Sequence, residues 1–170
     1  AQAGRAGHRG RAGFAVSRVR LVTWNIHACV GTDGRYDPRR VLAALREFDA
    51  DVIGLQEVDW RRDAVDGRDP FEFLARSLGM TAVEGPNLED HRGRYGNGLL
   101  TRLPVAHVDR VELAQPGREP RGLIDAELDA GGDRLRVLVT HLGLSRAERR
   151  RQLRRIRRYL TSTEGTGLGP

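Results

Sequence analysis

Two short runs constrain this chain more than anything else in it: Leu-Val-Thr-Trp-Asn-Ile-His at residues 21–27 and Val-Ile-Gly-Leu-Gln-Glu-Val at residues 52–58. Each is rich in β-branched and aliphatic residues, as a buried strand must be. Each also carries polar groups at its C-terminal end: Asn25 and His27 in the first, Gln56 and Glu57 in the second. Between them stands a helix signal. Asp37 can cap the orphan amides of a first turn, Pro38 has the fixed φ that suits the first helical position, and Val41, Leu42, Leu45 and Phe48 recur on one helical face. Strand, helix and strand in that order make one βαβ unit. A right-handed crossover sets the two strands parallel and close, so Asn25 and Glu57 emerge at the same C-terminal edge of the sheet, where open α/β sheets bind ligands.

The chain beyond this unit alternates the same signals. Asp69-Pro70 repeats the helix start, Phe71, Leu74 and Leu78 supply an apolar face, and Gly79 is placed to end the helix. Residues 80–84 predict a strand, followed by a loop rich in Gly, Asn, Asp and Arg through Tyr95, in which His91 reads as a solvated side chain. From Asn97 a run of antiparallel strands begins: 97–101, 105–113, then 121–128 after a turn, a glycine hairpin at 129–133, and 135–140. This register brings Arg121 roughly opposite His141, and a one-residue slip would place them on opposite faces. Ser145-Arg-Ala-Glu148 is a capping box that opens a helix to about residue 160. Leu153, Ile156, Tyr159 and Leu160 read as its core face, with Arg149, Arg150, Arg151, Arg154, Arg155, Arg157 and Arg158 around the rest. A nucleic-acid reading of those arginines competes with a solvated face.

At 170 residues and 39% hydrophobic the chain can bury one globular core, and no apolar run approaches a transmembrane span. All 29 basic residues are Arg, and the balance of +6 favours polyanions such as nucleic acid or an anionic membrane surface. GC-rich coding also produces lysine-free chains, so charge alone does not choose a partner. Residues 1–17 read as a flexible basic tail, 18–160 as the folded domain and 161–170 as a second tail. The first tail has no apolar h-region, so a cytoplasmic location is expected, with secretion the alternative if a segment ahead of Ala1 has been removed. The single cysteine, Cys29, excludes an internal disulfide and reads as a small structural thiol.

Four motifs then fall in order: T-W-N-I-H at 23–27, G-L-Q-E-V at 54–58, Y-G-N-G-L-L-T-R-L-P at 95–104 and L-V-T-H-L at 138–142. Over roughly residues 18 to 160 they resemble the successive motifs of the endonuclease/exonuclease/phosphatase family, which includes pancreatic deoxyribonuclease, abasic-site endonucleases, neutral sphingomyelinases and inositol polyphosphate phosphatases. The resemblance implies an α/β (α+β) fold: a partial four-layer α/β/β/α sandwich, mainly one mixed sheet with its outer helices. It implies Mg²⁺- or Mn²⁺-dependent hydrolysis of a phosphate ester, with nucleic acid, phospholipid and inositol phosphate all open as substrates. By residue, Asn25 resembles a metal-site and phosphate-contacting Asn, Glu57 the Mg²⁺-binding carboxylate, and His141 a catalytic, phosphate-contacting His. Arg121, with Arg118 the alternative, resembles a phosphate-binding Arg, and Asn97 and His27 fall on the substrate side.

The residue types suit that chemistry. A phosphodiester repels an anionic nucleophile, so a hard cation held by one carboxylate, with Arg and His donors on the non-bridging oxygens, offsets the charge that builds up. The resembled pattern continues past the Arg-rich helix with G-D-x-N and later S-D-H, and nothing in the 170 residues corresponds to either. An incomplete site is therefore expected, with roughly 10²–10⁴-fold less turnover for want of a positioned base. A sheet face left uncovered would favour self-association. Alternative readings are a catalytically dead module that binds nucleic acid or anionic lipid, and a half-domain that needs a partner chain.

Overall fold

Asp37 accepts hydrogen bonds from the amides of Arg39 and Arg40 at 2.9 and 3.3 Å, and Asp69 accepts from Phe71 and Glu72 at 2.9 Å each, so both Asp-Pro pairs start helices. In the computed structural model, which describes residues 18–162, these are α1 (Pro38–Phe48) and α2 (Pro70–Leu78), the second closed by Gly79 at φ 64°. The remaining elements are β1 (Leu21–Asn25), a tight turn at His27–Cys29, β2 (Val52–Asp59), β3 (Thr81–Asp90), β4 (Gly93–Thr101), β5 (Val105–Glu112), β6 (Gly122–Asp129), β7 (Arg134–Thr140) and α3 (Arg146–Thr161). The expected tail at 1–17, and that at 161–170 beyond Ser162, lie outside the described residues.

The βαβ unit forms as its pattern requires: β1 and β2 are parallel neighbours, with Asn25 paired to Gln56. They belong to a mixed four-stranded sheet of order β1-β2-β4-β3, while β5, β6 and β7 make a second, antiparallel sheet. Ile53, Leu55 and Val58 of β2 pack with Leu45, Phe71 and Leu74 under α1 and α2. From the other face, Val52 and Leu99 meet Ile124, Ala126, Leu128 and Val139 of the second sheet. α3 lies on the far side of that sheet, its Tyr159 hydroxyl donating to Asp109 of β5 at 3.1 Å. The α+β class and the partial sandwich are thus present, with the strands shared between two sheets.

Three local expectations change. The sheet face expected to be uncovered is covered, because each sheet buries its inner face against the other. Residues 85–95, expected as a loop, are strand: β3 and β4 form a long hairpin that turns at His91 and Arg92. Their glycines serve close approach. A Cβ on Gly85 would stand 2.4 Å from Ile124 of the opposing sheet, and one on Gly98 2.4 Å from Phe71 of α2. Finally, α3 buries Glu148 and Gln152 and leaves Leu153 53% exposed, so its seat is polar. Gln152 accepts from the Gly143 amide at 2.8 Å and donates to Glu148 at 3.4 Å. The capping box is half made: Ser145 accepts from the Glu148 amide at 3.2 Å, while the Glu148 carboxylate turns inward to Gln152.

Candidate active site

β1 ends where its own Asn stops it. The Asn25 side-chain oxygen accepts from the His27 amide at 3.0 Å, an Asx-type turn, and His27, Ala28 and Cys29 follow at φ 51°, 50° and 58°. β2 is interrupted at the same level. Leu55 pairs with Gly98 but Val58 pairs with Gly96, so β2 spends three residues where β4 spends two. The extra residue leaves Glu57 at φ 56°, a left-handed conformation that a non-glycine residue holds only under the constraint of its surroundings. The bulge re-aims the carboxylate at the strand end.

The groups converge on it. Asn25 donates its amide to Glu57 Oε1 at 2.8 Å, and His27 Nδ1 lies 2.7 Å from Oε2. His141 Nδ1 lies 3.8 Å from Oε1, and Arg121 Nη1 lies 3.5 Å from that same His141 nitrogen. The pairing of Leu123 with Thr140 sets Gly122, and not Arg121, across from His141. Arg121 and His141 still meet because both stand just beyond the paired ends of β6 and β7, where the alternation of faces no longer binds them. Arg121 is 5% exposed and held by Glu119 through both terminal nitrogens, at 3.3 and 2.9 Å. Asn97 stays apart, buried between the sheets, donating to the Gly122 carbonyl at 3.2 Å beside Arg121. Arg118 is exposed in the preceding turn.

Two opposed forces set the charge at the centre. Burial pushes the Glu57 carboxyl up, but hydrogen bonds from Asn25 and His27 and the charges of His27 and His141 outweigh it and hold the group below the ordinary range. His141 moves down, first by burial and then by the Arg121 guanidinium, against the pull of Glu57. The imidazole thus sits between a guanidinium that disfavours its protonation and a carboxylate that favours it. Burial pushes the Tyr95 phenol up, reinforced by Glu57 and Glu119.

A cavity of about 680 Å³ opens over Glu57 and His27, lined among others by Asp59, Arg61, Tyr95 and Glu119, with Asn25, Arg121 and His141 behind its wall. Asp59 is ion-paired with Arg61 at 2.6 Å and Arg62 at 3.5 Å, and Glu119 with Arg121. Among the described residues, Glu57 is the one carboxylate of this cavity without a guanidinium partner. It is ionised, faces this cavity and offers hard oxygens, a donor set that fits a cation such as Mg²⁺. No group of three or more Asp, Glu, His or Cys side chains is arranged to ligate a metal among the described residues, so such a cation would keep most of its water here.

Asn25, Glu57, Arg121, His141 and His27 were all marked in the sequence; Glu119 and Tyr95 were not assigned to the site. Glu119 had a usable signal. In extended chain, residues two apart share a side, so an acid two positions before Arg121 is placed to orient it.

Residues 17–166 match the family model described as PGAP2IP, C-terminal nuclease-like domain. The chain is 32% identical over 130 residues to protein cwh43 of Schizosaccharomyces pombe, an alignment covering 76% of this chain and 13% of that protein. It is 28% identical over 144 residues to YbhP of Escherichia coli K12, covering 79% of this chain and 57% of YbhP. It thus spans less than two thirds of either relative. Among solved structures, the endonuclease/exonuclease/phosphatase of Beutenbergia cavernae superposes with a TM-score of 0.64 at 27% identity, over 81% of this chain and 43% of that one. D. rerio TDP2 in complex with a single-strand DNA product superposes with a TM-score of 0.64 at 18% identity, over 86% and 56%. With the sandwich, the order of its motifs and this match over most of its length together, the chain belongs to the endonuclease/exonuclease/phosphatase family, in the group of PGAP2IP C-terminal nuclease-like domains.

Proposed function

We propose that this chain is a divalent-metal-dependent phosphoesterase domain in which the reacting phosphate binds over Glu57. The observation that carries the reading is the convergence on one ionised carboxylate, free of any guanidinium partner among the described residues, of Asn25, His27, His141 and the buried Arg121. Glu57 and the Asn25 side chain would hold Mg²⁺ or Mn²⁺, which when bound neutralises phosphoryl charge and favours departure of the leaving oxygen. The protein's own groups do the rest. Asn25 pins one carboxylate oxygen, leaving the other to His27, whose side chain is 76% exposed and can swing away. Arg121, braced by Glu119, presents a fixed guanidinium to the non-bridging phosphate oxygens, and His141, its pKa lowered by burial and by Arg121, can exchange a proton at its ring nitrogen with substrate or water. A phosphodiester of nucleic acid is the substrate class we favour, supported by the similarity to a TDP2 bound to single-strand DNA product; phospholipid and inositol phosphate esters share the chemistry.

A second reading draws on the same contacts. Both oxygens of Glu57 already have partners, so the site is also suited to holding a phosphate without turnover. Titration calorimetry with Mg²⁺ or Mn²⁺, run beside hydrolysis of a model phosphodiester and of single-stranded DNA, separates them. Weak cation binding that disappears in Glu57→Ala, together with turnover lost in the same variant, is the expected result. Binding through Glu57 with no turnover supports the phosphate-binding module, and an isotherm unchanged in Glu57→Ala removes Glu57 from the site.

A further inference from the structure

The most basic part of the molecule lies outside the Glu57 site. α3 carries eight arginines, at 146, 149, 150, 151, 154, 155, 157 and 158. Among the described residues twelve arginines elsewhere form ion pairs, from Arg20 with Asp49 to Arg136 with Asp125, and no arginine of α3 does. The helix divides by flank. Glu148, Gln152 and Tyr159 face the second sheet, while Arg151, Arg154, Arg155 and Arg158, at i, i+3, i+4 and i+7, share the flank turned toward β5.

These four side chains line a cavity of about 520 Å³ with Val111 of β5, Tyr159 and Ser162, and no carboxylate is among its lining residues. Arg151 and Arg158 stand about 10 Å apart along the axis at the helical rise per residue. A second cavity, of about 280 Å³, shares Val111 and is lined by Arg110, Arg121 and Asn87, with one carboxylate, Glu112. The two cavities thus adjoin at Val111, and the second leads over the edge of β5 to the arginine of the candidate active site.

We propose that the groove between α3 and β5 is a separate polyanion site that holds the phosphodiester backbone of a nucleic-acid strand. Guanidinium forks pair with phosphate oxygens two at a time, and a row of four along one flank offers partners to successive phosphates. Four guanidinium groups along one flank, with no carboxylate in the lining, make a positive potential that favours an incoming polyanion. Shape argues against a membrane. A bilayer surface meets projecting side chains but cannot follow a groove down to Val111, and the exposed leucine of α3, Leu153, stands on the other flank. The site needs no cation and is independent of catalysis at Glu57.

The test is fluorescence anisotropy of a labelled single-stranded oligonucleotide with the whole 170-residue chain in EDTA. Two variants of equal charge are compared: R151Q/R154Q/R158Q on the groove flank and R146Q/R150Q/R157Q on the outer flank. Removing three phosphate contacts should weaken binding about tenfold or more and reduce the slope of log K against log salt by about 2 units, at about 0.7 per contact on a single strand. The outer triple should lose much less, and Glu57→Ala should bind as the unaltered chain does. Equal losses in the two triples would mean diffuse charge and overturn the proposal. So would binding abolished by Glu57→Ala, which puts the strand in the catalytic cavity, or binding of phosphatidylserine-containing vesicles that alone depends on the groove triple. Should the groove triple melt early by circular dichroism, the single variants Arg154→Gln and Arg158→Gln carry the same comparison through their salt slopes.

Discussion

Glu57 is a carboxylate kept charged against its own burial, and that balance has a pH signature. Its folded pKa lies below the unfolded value, so the ionised form contributes stability above the unfolded pKa of about 4.3, and that contribution is lost as pH falls through the folded value. Urea midpoints measured from about pH 5 down to about pH 3 should therefore fall more steeply for the unaltered chain than for Glu57→Gln; parallel curves would place the acid sensitivity elsewhere. Cys29 shows the opposite case. It is buried, and burial pushes its thiol up from 9.0 to about 12, so little reactive thiolate is present at neutral pH. Iodoacetamide should label it only after denaturation, and rapid labelling of the native chain would contradict that burial. At this scale the sequence disclosed Asn25 and Glu57, because a βαβ unit forces two strand ends to one edge. It disclosed no contact between His27 and Glu57, since a left-handed turn at His27–Cys29 follows from no hydrophobic period.

Among the elements, α3 separates what periodicity can and cannot say. Its start and length were legible from Ser145 and the capping spacing, but its buried face was not, because the seat is made of hydrogen bonds. Gln152→Leu should cost about 1–3 kcal/mol, since it orphans the buried Gly143 amide. Leu153→Gln, at a half-exposed position, should stay within about 0.5 kcal/mol, and chemical denaturation of the two variants checks the order. A larger loss at Leu153 would return the helix to an aliphatic seat. The β3–β4 hairpin was hidden for a related reason: glycines that signal turns in an isolated chain here make room for Ile124 and Phe71.

On the scale of the whole molecule, seven strand signals did not say which sheet each would join, because sheet membership depends on crossovers and not on local pattern. The hairpin folds back onto β2 and the chain then crosses to build the second sheet. Among the described residues β1 and β7 are edge strands of the two sheets, and Leu21 and Leu138, 55% and 39% exposed, line an apolar trough of about 270 Å³ between them. Unpaired edges with apolar side chains favour pairing with a second copy. We propose concentration-dependent association through this edge, and not through a sheet face. Light scattering coupled to size exclusion should report it, and Leu138→Glu should shift the equilibrium toward monomer; association unchanged in that variant would place the contact elsewhere.

The bulge in β2 has one more consequence, for length and not for composition. Ahead of it Ile53 and Leu55 face the helices; after it Val58 faces them too, although an unbroken strand would have turned it away. The added residue shifts the phase of everything that follows. Losing a single codon at Gln56 or Glu57 would therefore do more than remove one side chain. It would remove the bulge itself, leaving Leu55 and Val58 two apart on the helix side and in register with Gly98 and Gly96, and with the bulge would go the left-handed position that aims the Glu57 carboxylate. Substitutions at Glu57 act on the carboxylate alone, whereas a deletion in this segment costs the site its aim while sparing the core face of the strand.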